Sequence, residues 1–309
     1  MKQIYIKRGC KIIAFALLII LLDQFVGFLY TRMRNSSTNY SSIDYNKAMY
    51  AIDKVQDEVI IVGSSEVNRD YNSKIIEMKL NKTCANLGRA KVGFWWEYMI
   101  IKAIFNRYTP KILIWDIGIS PLSQKLQDDC SDYPFIGRYI DTNVLADSLI
   151  NNSRSNQLKY LSSAYKFNSY LLDYLRILYY DKKPNSIKGY NAIYDEMRKD
   201  FKVKDCFLSE EVNYKTKEKY AEVITYCMKR GCTLFCVFSP KYKKYYSKLN
   251  PEFKQMCDSL GCKYFDFSQQ ELFLQNPTFF FDELHLNDKG ATLFTKMLLD
   301  SLVVNGALN

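Results

Sequence analysis

The stretch Val59-Ile60-Ile61-Val62-Gly63-Ser64-Ser65-Glu66 decides the fold class. Its continuous apolar run leaves no polar face before it ends at a glycine, the profile of a strand buried on both sides. The profile recurs down the chain. Lys111-Ile112-Leu113-Ile114-Trp115-Asp116 and Thr233-Leu234-Phe235-Cys236-Val237-Phe238 read as buried strands, and Tyr264-Phe265-Asp266-Phe267 as a last one. A further short strand ends at Asn86, within Thr83–Gly88. Between them lie helical stretches: one through Trp95, Met99 and Ile104 that stops near Pro110, one around Glu218–Arg230, and one near Pro251–Leu260. Strands alternating with helices imply right-handed crossovers and a parallel sheet covered on both faces. The expected fold is therefore α/β, a three-layer sandwich around a five-stranded parallel sheet. The interval 122–207 has no such strand and is rich in Tyr, Ser, Asn and Lys; it reads as a mainly helical insertion, not a second domain.

The chain has 309 residues, room for one large or two small domains. With 48% hydrophobic and 25% charged residues it is not disordered, and 25 Tyr with 19 Phe supply a substantial core. The formal charge is +10, but six cations and only one acid fall in the first 34 residues, leaving a dispersed +5 on the rest. That balance is too mild for a nucleic-acid footprint. No nucleic-acid partner is expected.

Lys2, Lys7, Arg8 and Lys11 precede an apolar run, Ile12–Leu22, which resumes after Asp23 and Gln24 as Phe25–Tyr30. As one helix, Ile12–Tyr30 covers about 28 Å at ~1.5 Å per residue, close to a bilayer core. Residues 1–34 read as a cytoplasmic tip and an uncleaved signal anchor. The alternative is a cleaved signal peptide, since the first run alone fits an h-region, but no small-x-small cleavage site follows. Four cations before the span and Arg32 and Arg34 after it favour a cytoplasmic N-terminus, a membrane partner for this helix, and export of the rest. Asp23 within the span costs about 3 kcal/mol if central, unless a partner helix or water relieves it. Asn35–Tyr45 is rich in Ser, Asn and Tyr, and 35–54 is taken as a linker to a domain over 55–309.

Of nine cysteines, Cys10 falls on the cytoplasmic side of the span. The remaining eight permit pairing in an oxidising compartment, and Cys257 with Cys262 or Cys232 with Cys236 are near in sequence. Cys232 and Cys236 also fit as small buried hydrophobes of a strand. No Cys-x-x-Cys pair and no neighbouring His marks a zinc site. Neither a metal nor a cofactor is expected.

The chemistry lies where the strands end, as ligand groups do in open α/β sheets. Ser64 and Ser65 follow the first strand directly; Asp282-Glu283-Leu284-His285-Leu286-Asn287 follows the last. His285 is the only histidine of the chain, so any catalytic imidazole is that one. A serine is a poor nucleophile until a base takes its proton, and a carboxylate must hold the base's tautomer. The Asp-x-x-His spacing lets Asp282 reach one ring nitrogen while the other faces Ser65. Each piece also has a plain reading: Ser65 as a helix N-cap, His285 as a structural residue. Their conjunction favours catalysis. Asp116, at a strand end, reads as a hydrogen-bonded structural carboxylate. Trp95 and Trp96 read as helix core and surface before a sugar-binding groove, and Lys241, Lys243, Lys244 and Lys248 as a solvated face.

These residues resemble the SGNH/GDSL hydrolase superfamily. Its first block puts the nucleophile after a buried strand as Gly-Asp-Ser; Gly63-Ser64-Ser65 is similar, with Ser64 in the Asp position and Ser65 in that of the nucleophile. Its last block is matched by Asp282 and His285, and Leu286–Ala291 resembles the turn into its last helix. The Gly-Ser-Ser variant is similar to exported members from cell-surface polysaccharide loci. The resemblance covers about 55–309 and implies an SGNH-hydrolase, flavodoxin-like sheet. It implies a Ser65–His285–Asp282 triad and an oxyanion hole from the amides of Ser65 and of the Gly88–Gly93 turn. The implied activity is that of a serine esterase or O-acyltransferase on acyl, above all acetyl, esters of a cell-surface glycan or a small ester. Two blocks depart. Asn86-Leu87-Gly88 starts the second block, but Lys91 stands at its next glycine and Gly93 comes two later; the third block's Asn has no counterpart in Ile117-Gly118-Ile119-Ser120. A lost donor costs about 10²–10³ in rate, so the alternative is a catalytically inactive scaffold or binding protein in surface polysaccharide assembly.

Overall fold

The computed structural model describes residues 2–36, 44–123, 158–167, 188–198, 205–208 and 211–304. The chain divides into two units, Met1–Asn39 with Tyr133–Lys182 and Tyr40–Asp132 with Lys183–Asn309.

In the first unit, helix α1 (Lys2–Ser36) contains Tyr5–Arg32, whose mean hydropathy reaches 2.5, long and apolar enough to cross a membrane. Ile12, Phe15, Leu18, Leu22, Phe25 and Leu29 are exposed all round it, the pattern of a helix whose surroundings are themselves apolar. Asp23 is not left bare. It accepts hydrogen bonds from Ser162 Oγ at 2.7 Å and from the amides of Ser163 and Ala164 at 2.8 and 2.9 Å. Those amides open the short helix Ser163–Lys166, where a carboxylate also meets the favourable end of the helix dipole.

The second unit is built on a parallel sheet in the order β2-β1-β3-β5-β7. Its strands are β1 (Val59–Val62), β2 (Cys84–Asn86), β3 (Ile112–Asp116), β5 (Thr233–Phe238) and β7 (Lys263–Asp266). They are the five strands expected from the apolar runs, the last shifted by one residue. Ile61 pairs with Asn86 on one side and Ile114 on the other, Ile114 with Phe235, and Val237 with Phe265. The four residues of β1 and five of β3 are buried throughout, as central strands covered on both faces must be. The chain leaves β1 for β2 on one flank and β3 on the other. That reversal opens a crevice at the carboxyl ends of β1 and β3.

Helices α5 (Phe94–Arg107), α6 (Tyr214–Lys229) and α7 (Leu249–Ser259) fall where the periodicity puts them, and α8 (Asp288–Val304) closes the described fold. Other elements escaped the sequence. Helices α3 (Ser65–Asp70) and α4 (Ser73–Leu80) are too short for a periodic signal, and a small parallel ladder pairs β4 (Cys206–Leu208) with β6 (Tyr245–Ser247).

The linker reading of 35–54 requires correction. Helix α2 (Asp44–Asp53) lies in it and packs against α5, with Ala48, Ala51 and Ile52 buried, and Val55, just past its end, buried too. Their i, i+3, i+4, i+7 spacing is a helical face. Lys47 is buried too, its Nζ donating to Asn68 Oδ1 at 2.7 Å, Gly88 O at 2.9 Å and Gly189 O at 2.7 Å. The insertion read over 122–207 lies largely outside the described residues. Its described tail, 188–198, is stitched along the sheet's carboxyl edge. Asn191 N donates to Asn68 O at 2.9 Å, Asp288 N to Ile193 O at 2.7 Å, and Met197 N to Phe280 O at 2.8 Å.

Candidate active site

The turn after β1 has almost no room. A Cβ on Gly63 would lie 2.9 Å from the Asp116 carbonyl and 2.5 Å from Val67 Cγ2, so only glycine lets α3 start this close to β3. Ser64 holds the N-cap position of α3 without a side-chain capping bond, and Ser65 is the first helical residue. Ser65 is thus not an N-cap. Its Oγ lies 2.8 Å from His285 Nε2.

The loop that carries the histidine is fixed at both ends. Phe280 and Leu286 form an antiparallel bridge, and Phe281 N donates to His285 O at 2.9 Å. Within it Asp282 Oδ1 accepts from the amides of Leu284 and His285, each at 2.9 Å. The same carboxylate meets the ring, His285 Nδ1 lying 2.8 Å from Oδ2 and 2.9 Å from Oδ1. Burial works against the charge on Asp282, but the His285 ring and the Leu284 amide hold its carboxyl below the usual range. A carboxylate on Nδ1 leaves Nε2 to accept the serine proton, which gives this row of three the geometry for general-base activation of a hydroxyl.

Beneath Ser65 lies a cluster that the sequence reading missed. Glu66, next to the serine, accepts from Ser64 Oγ and lies 3.2 Å from Ser65 Oγ, a second acceptor within reach of the one hydroxyl proton that His285 Nε2 takes at the shorter distance. Its other oxygen lies 3.4 Å from Lys241 Nζ, and that ammonium also donates to Ser239 Oγ at 3.1 Å. Lys241 is 0% exposed. It is no part of a solvated face, and Lys243 is ion-paired with Glu283 at 2.7 Å. Burial penalises the Glu66 charge, yet Lys241, the Ser64 hydroxyl and His285 bring its carboxyl down to about 2. Burial likewise opposes the Lys241 charge, and Glu66, Asp116 and Asp70 outweigh it and raise its pKa. Burial pushes Asp70 well above the carboxylate range. Its Oδ1 accepts the Leu286 amide at 2.9 Å, so α3 supplies the serine at its start and a brace for the histidine loop at its end. The readable signal was position: Lys241 follows the carboxyl end of β5 by three residues.

Asp116 is the structural carboxylate expected of it, accepting from Tyr71 Oη at 2.6 Å and Gly118 N at 2.9 Å, and burial raises its pKa. Nearby Ser120 is buried with its Oγ 3.0 Å from Ser247 Oγ. The oxyanion expectation for Gly88 meets a conflict, because its amide donates to Asn86 Oδ1 at 3.1 Å. Gly93 caps α5 and gives its carbonyl to Glu97 N at 3.2 Å. Trp96 is buried with the Arg89 guanidinium 4.5 Å from its ring, and Phe94 stacks toward Trp115 and Tyr220, so this face of α5 is core.

The described cysteines are all free thiols, so neither close pair is bonded. Instead the Sγ atoms of Cys236, Cys257 and Cys262 lie within 4.8 Å of one another, all buried. The fold brings together from β5, α7 and the turn before β7 what sequence spacing did not. The trio is one ligand short of a closed tetrahedral zinc site.

Beside the histidine a cleft of about 440 Å³ is lined by Met197, Arg198, Tyr245, Phe281, Leu284 and His285, among others. No known family model matches the chain, and no curated protein is significantly similar to it.

Proposed function

We propose that the protein is a membrane-anchored serine esterase or O-acyltransferase of the SGNH hydrolase type, acting on acyl esters of a cell-surface glycan. One observation carries this reading: Ser65 Oγ, the His285 ring and the Asp282 carboxylate stand in line at 2.8 Å and 2.8 Å. The serine comes from the turn after β1 and the histidine, with its Asp three residues before it, from 220 positions further on, so no local motif forces the alignment. Ser65 Oγ attacks the acyl carbon as its proton passes to His285 Nε2. Asp282 keeps Nδ1–H in place and stabilises the imidazolium. The tetrahedral oxyanion sits against the Ser65 amide, with a second donor in the Gly88–Gly93 turn once Gly88 leaves Asn86. His285 then returns the proton to the leaving alcohol, and water or a sugar hydroxyl takes the acyl group from Ser65 by the same route. Glu66 is a second anion beside the developing imidazolium, and Lys241 keeps that anion from repelling the oxyanion. Helix α1 anchors the protein, its basic end in the cytoplasm and the sheet domain outside.

A rival reading, an inactive scaffold of the same fold, is favoured by the Gly88 amide being committed to Asn86. Turnover decides between them. Full-length protein in detergent micelles should release acetate from a model acetyl ester, and Ser65→Ala should abolish the release. Wild-type protein that is folded but silent on every acetyl ester would favour the scaffold.

A further inference from the structure

The charges of the cleft and of the shell behind it are unevenly matched, Arg198 lining the cleft and Arg69 lying against its Phe281. Its carboxylates are engaged: Asp282 by the His285 ring and Glu283 by Lys243 at 2.7 Å. Glu196, close by in sequence, is bound to Lys289 at 2.5 Å. Asp70 is engaged by the Leu286 amide at 2.9 Å. Two guanidinium groups have no such partner among the described residues. Arg198 lines the cleft and is exposed. Arg69, on α3, places its Cζ 5.9 Å from the centroid of Phe281, a cleft residue, and its Nε is shielded from solvent without a hydrogen-bond partner. Both sides of the cleft are held in place by backbone bonds, Met197 N to Phe280 O at 2.8 Å and Phe281 N to His285 O at 2.9 Å. A shielded guanidinium N–H with no acceptor is costly unless a ligand supplies one. Guanidinium forks fit planar carboxylate and phosphate oxygens.

We propose that the cleft takes a sugar bearing a fixed negative charge, a carboxylate or a phosphate, which Arg69 and Arg198 hold beside Phe281 while the ester faces Ser65. This deepens the esterase reading and rests on it for the ester alone. The charge seats the substrate, and neutral glycans lose that contact.

The test is calorimetric titration of full-length protein in micelles with three ligands. They are methyl α-D-glucopyranoside, its glucuronic acid analogue and its 6-phosphate. Both anions should bind about tenfold more tightly than the neutral sugar or better, with the advantage shrinking as salt is raised. The stronger of the two identifies the natural group. Arg198→Gln, an exposed change that leaves folding alone, and Arg69→Gln should each erase most of the advantage. Equal binding of charged and neutral sugars, absence of binding by all three, or an advantage that survives Arg198→Gln would overturn the proposal. The ester reading fails separately. Ser65→Ala should keep the anion preference, and a wild-type protein that shows this preference but hydrolyses no acetyl ester would strike the esterase reading alone.

Discussion

Two loops leave the same edge of the sheet and end differently. The one after β7 turns its side chains inward. Asp282 spends its oxygens on two amides and the imidazole, Asp70 grips Leu286 N at 2.9 Å, and the ring arrives 2.8 Å from Ser65. The loop after β3 turns its polar groups onto itself and its neighbours: Asp116 to Tyr71 and Gly118, Ser120 to Ser247. Position at the carboxyl edge therefore does not make a residue functional. What separates the loops is where the hydrogen bonds lead, from a braced side chain to the Ser65 hydroxyl, or back into the scaffold.

The contrast can be broken or sharpened by substitution. The largest effect belongs to the imidazole: His285→Ala should lower acetyl-ester turnover on the order of 10⁴-fold, read as kcat on folded protein. Asp282→Asn should cost about 10³–10⁴-fold, because a neutral amide favours the wrong tautomer and points N–H at Ser65. A loss of less than about tenfold in either would place the chemistry elsewhere.

The buried pair under the serine is tested by pH. With Glu66 held near 2 against an unperturbed 4.5, the folded state binds fewer protons than the unfolded state between those values. Its contribution is fully present above about pH 4.5 and is lost as pH falls toward 2. The contribution is of order 3 kcal/mol for a shift of this size. Glu66→Gln should lower Tm at neutral pH, and the gap to wild type should narrow on acidification. A gap independent of pH would mean that the glutamate's charge is not what stabilises.

Smaller again is the brace. Asp70→Leu leaves the Leu286 amide without its acceptor, costing ~1–3 kcal/mol of stability and about 10–100-fold in kcat as the imidazole drifts from the serine. Asp70→Asn, which keeps an acceptor oxygen, should restore most of it. At the bottom lies the loop after β3, where Ser120→Ala removes a hydroxyl that bonds Ser247 and not the histidine loop, and should change kcat by less than about twofold. A large loss there would erase the distinction between the two loops.

The sheet was legible because its three central strands, β1, β3 and β5, are the continuous apolar runs that buried parallel strands show, and the shorter edge strands β2 and β7 flank them. The meeting of Ser65, His285 and Asp282 was legible because a lone histidine admits no competitor and its Asp stands at the right offset. What escaped depends on the third dimension. Lys241 sits in a lysine-rich run, set apart from Lys243 and Lys244 only by lying nearer the carboxyl end of β5. Only the fold carries it to Glu66, 175 positions away. Helix α2 was hidden by the polar composition just before it, although Ala48, Ala51, Ile52 and Val55 kept helical spacing. The thiol trio joins three elements, so its members show no metal-binding interval. The commitment of the Gly88 amide to Asn86 is a side-chain rotamer, invisible in any motif.

The central claim is that Ser65 is a nucleophile activated by His285. A fluorophosphonate probe incubated with the full-length protein, followed by peptide mass spectrometry, reads that directly. The adduct should form on Ser65 and on no other serine, remain there in Ser64→Ala, and fall to background in His285→Ala. An adduct on Ser64, or a folded wild-type protein with an open cleft that takes no label, would contradict the account.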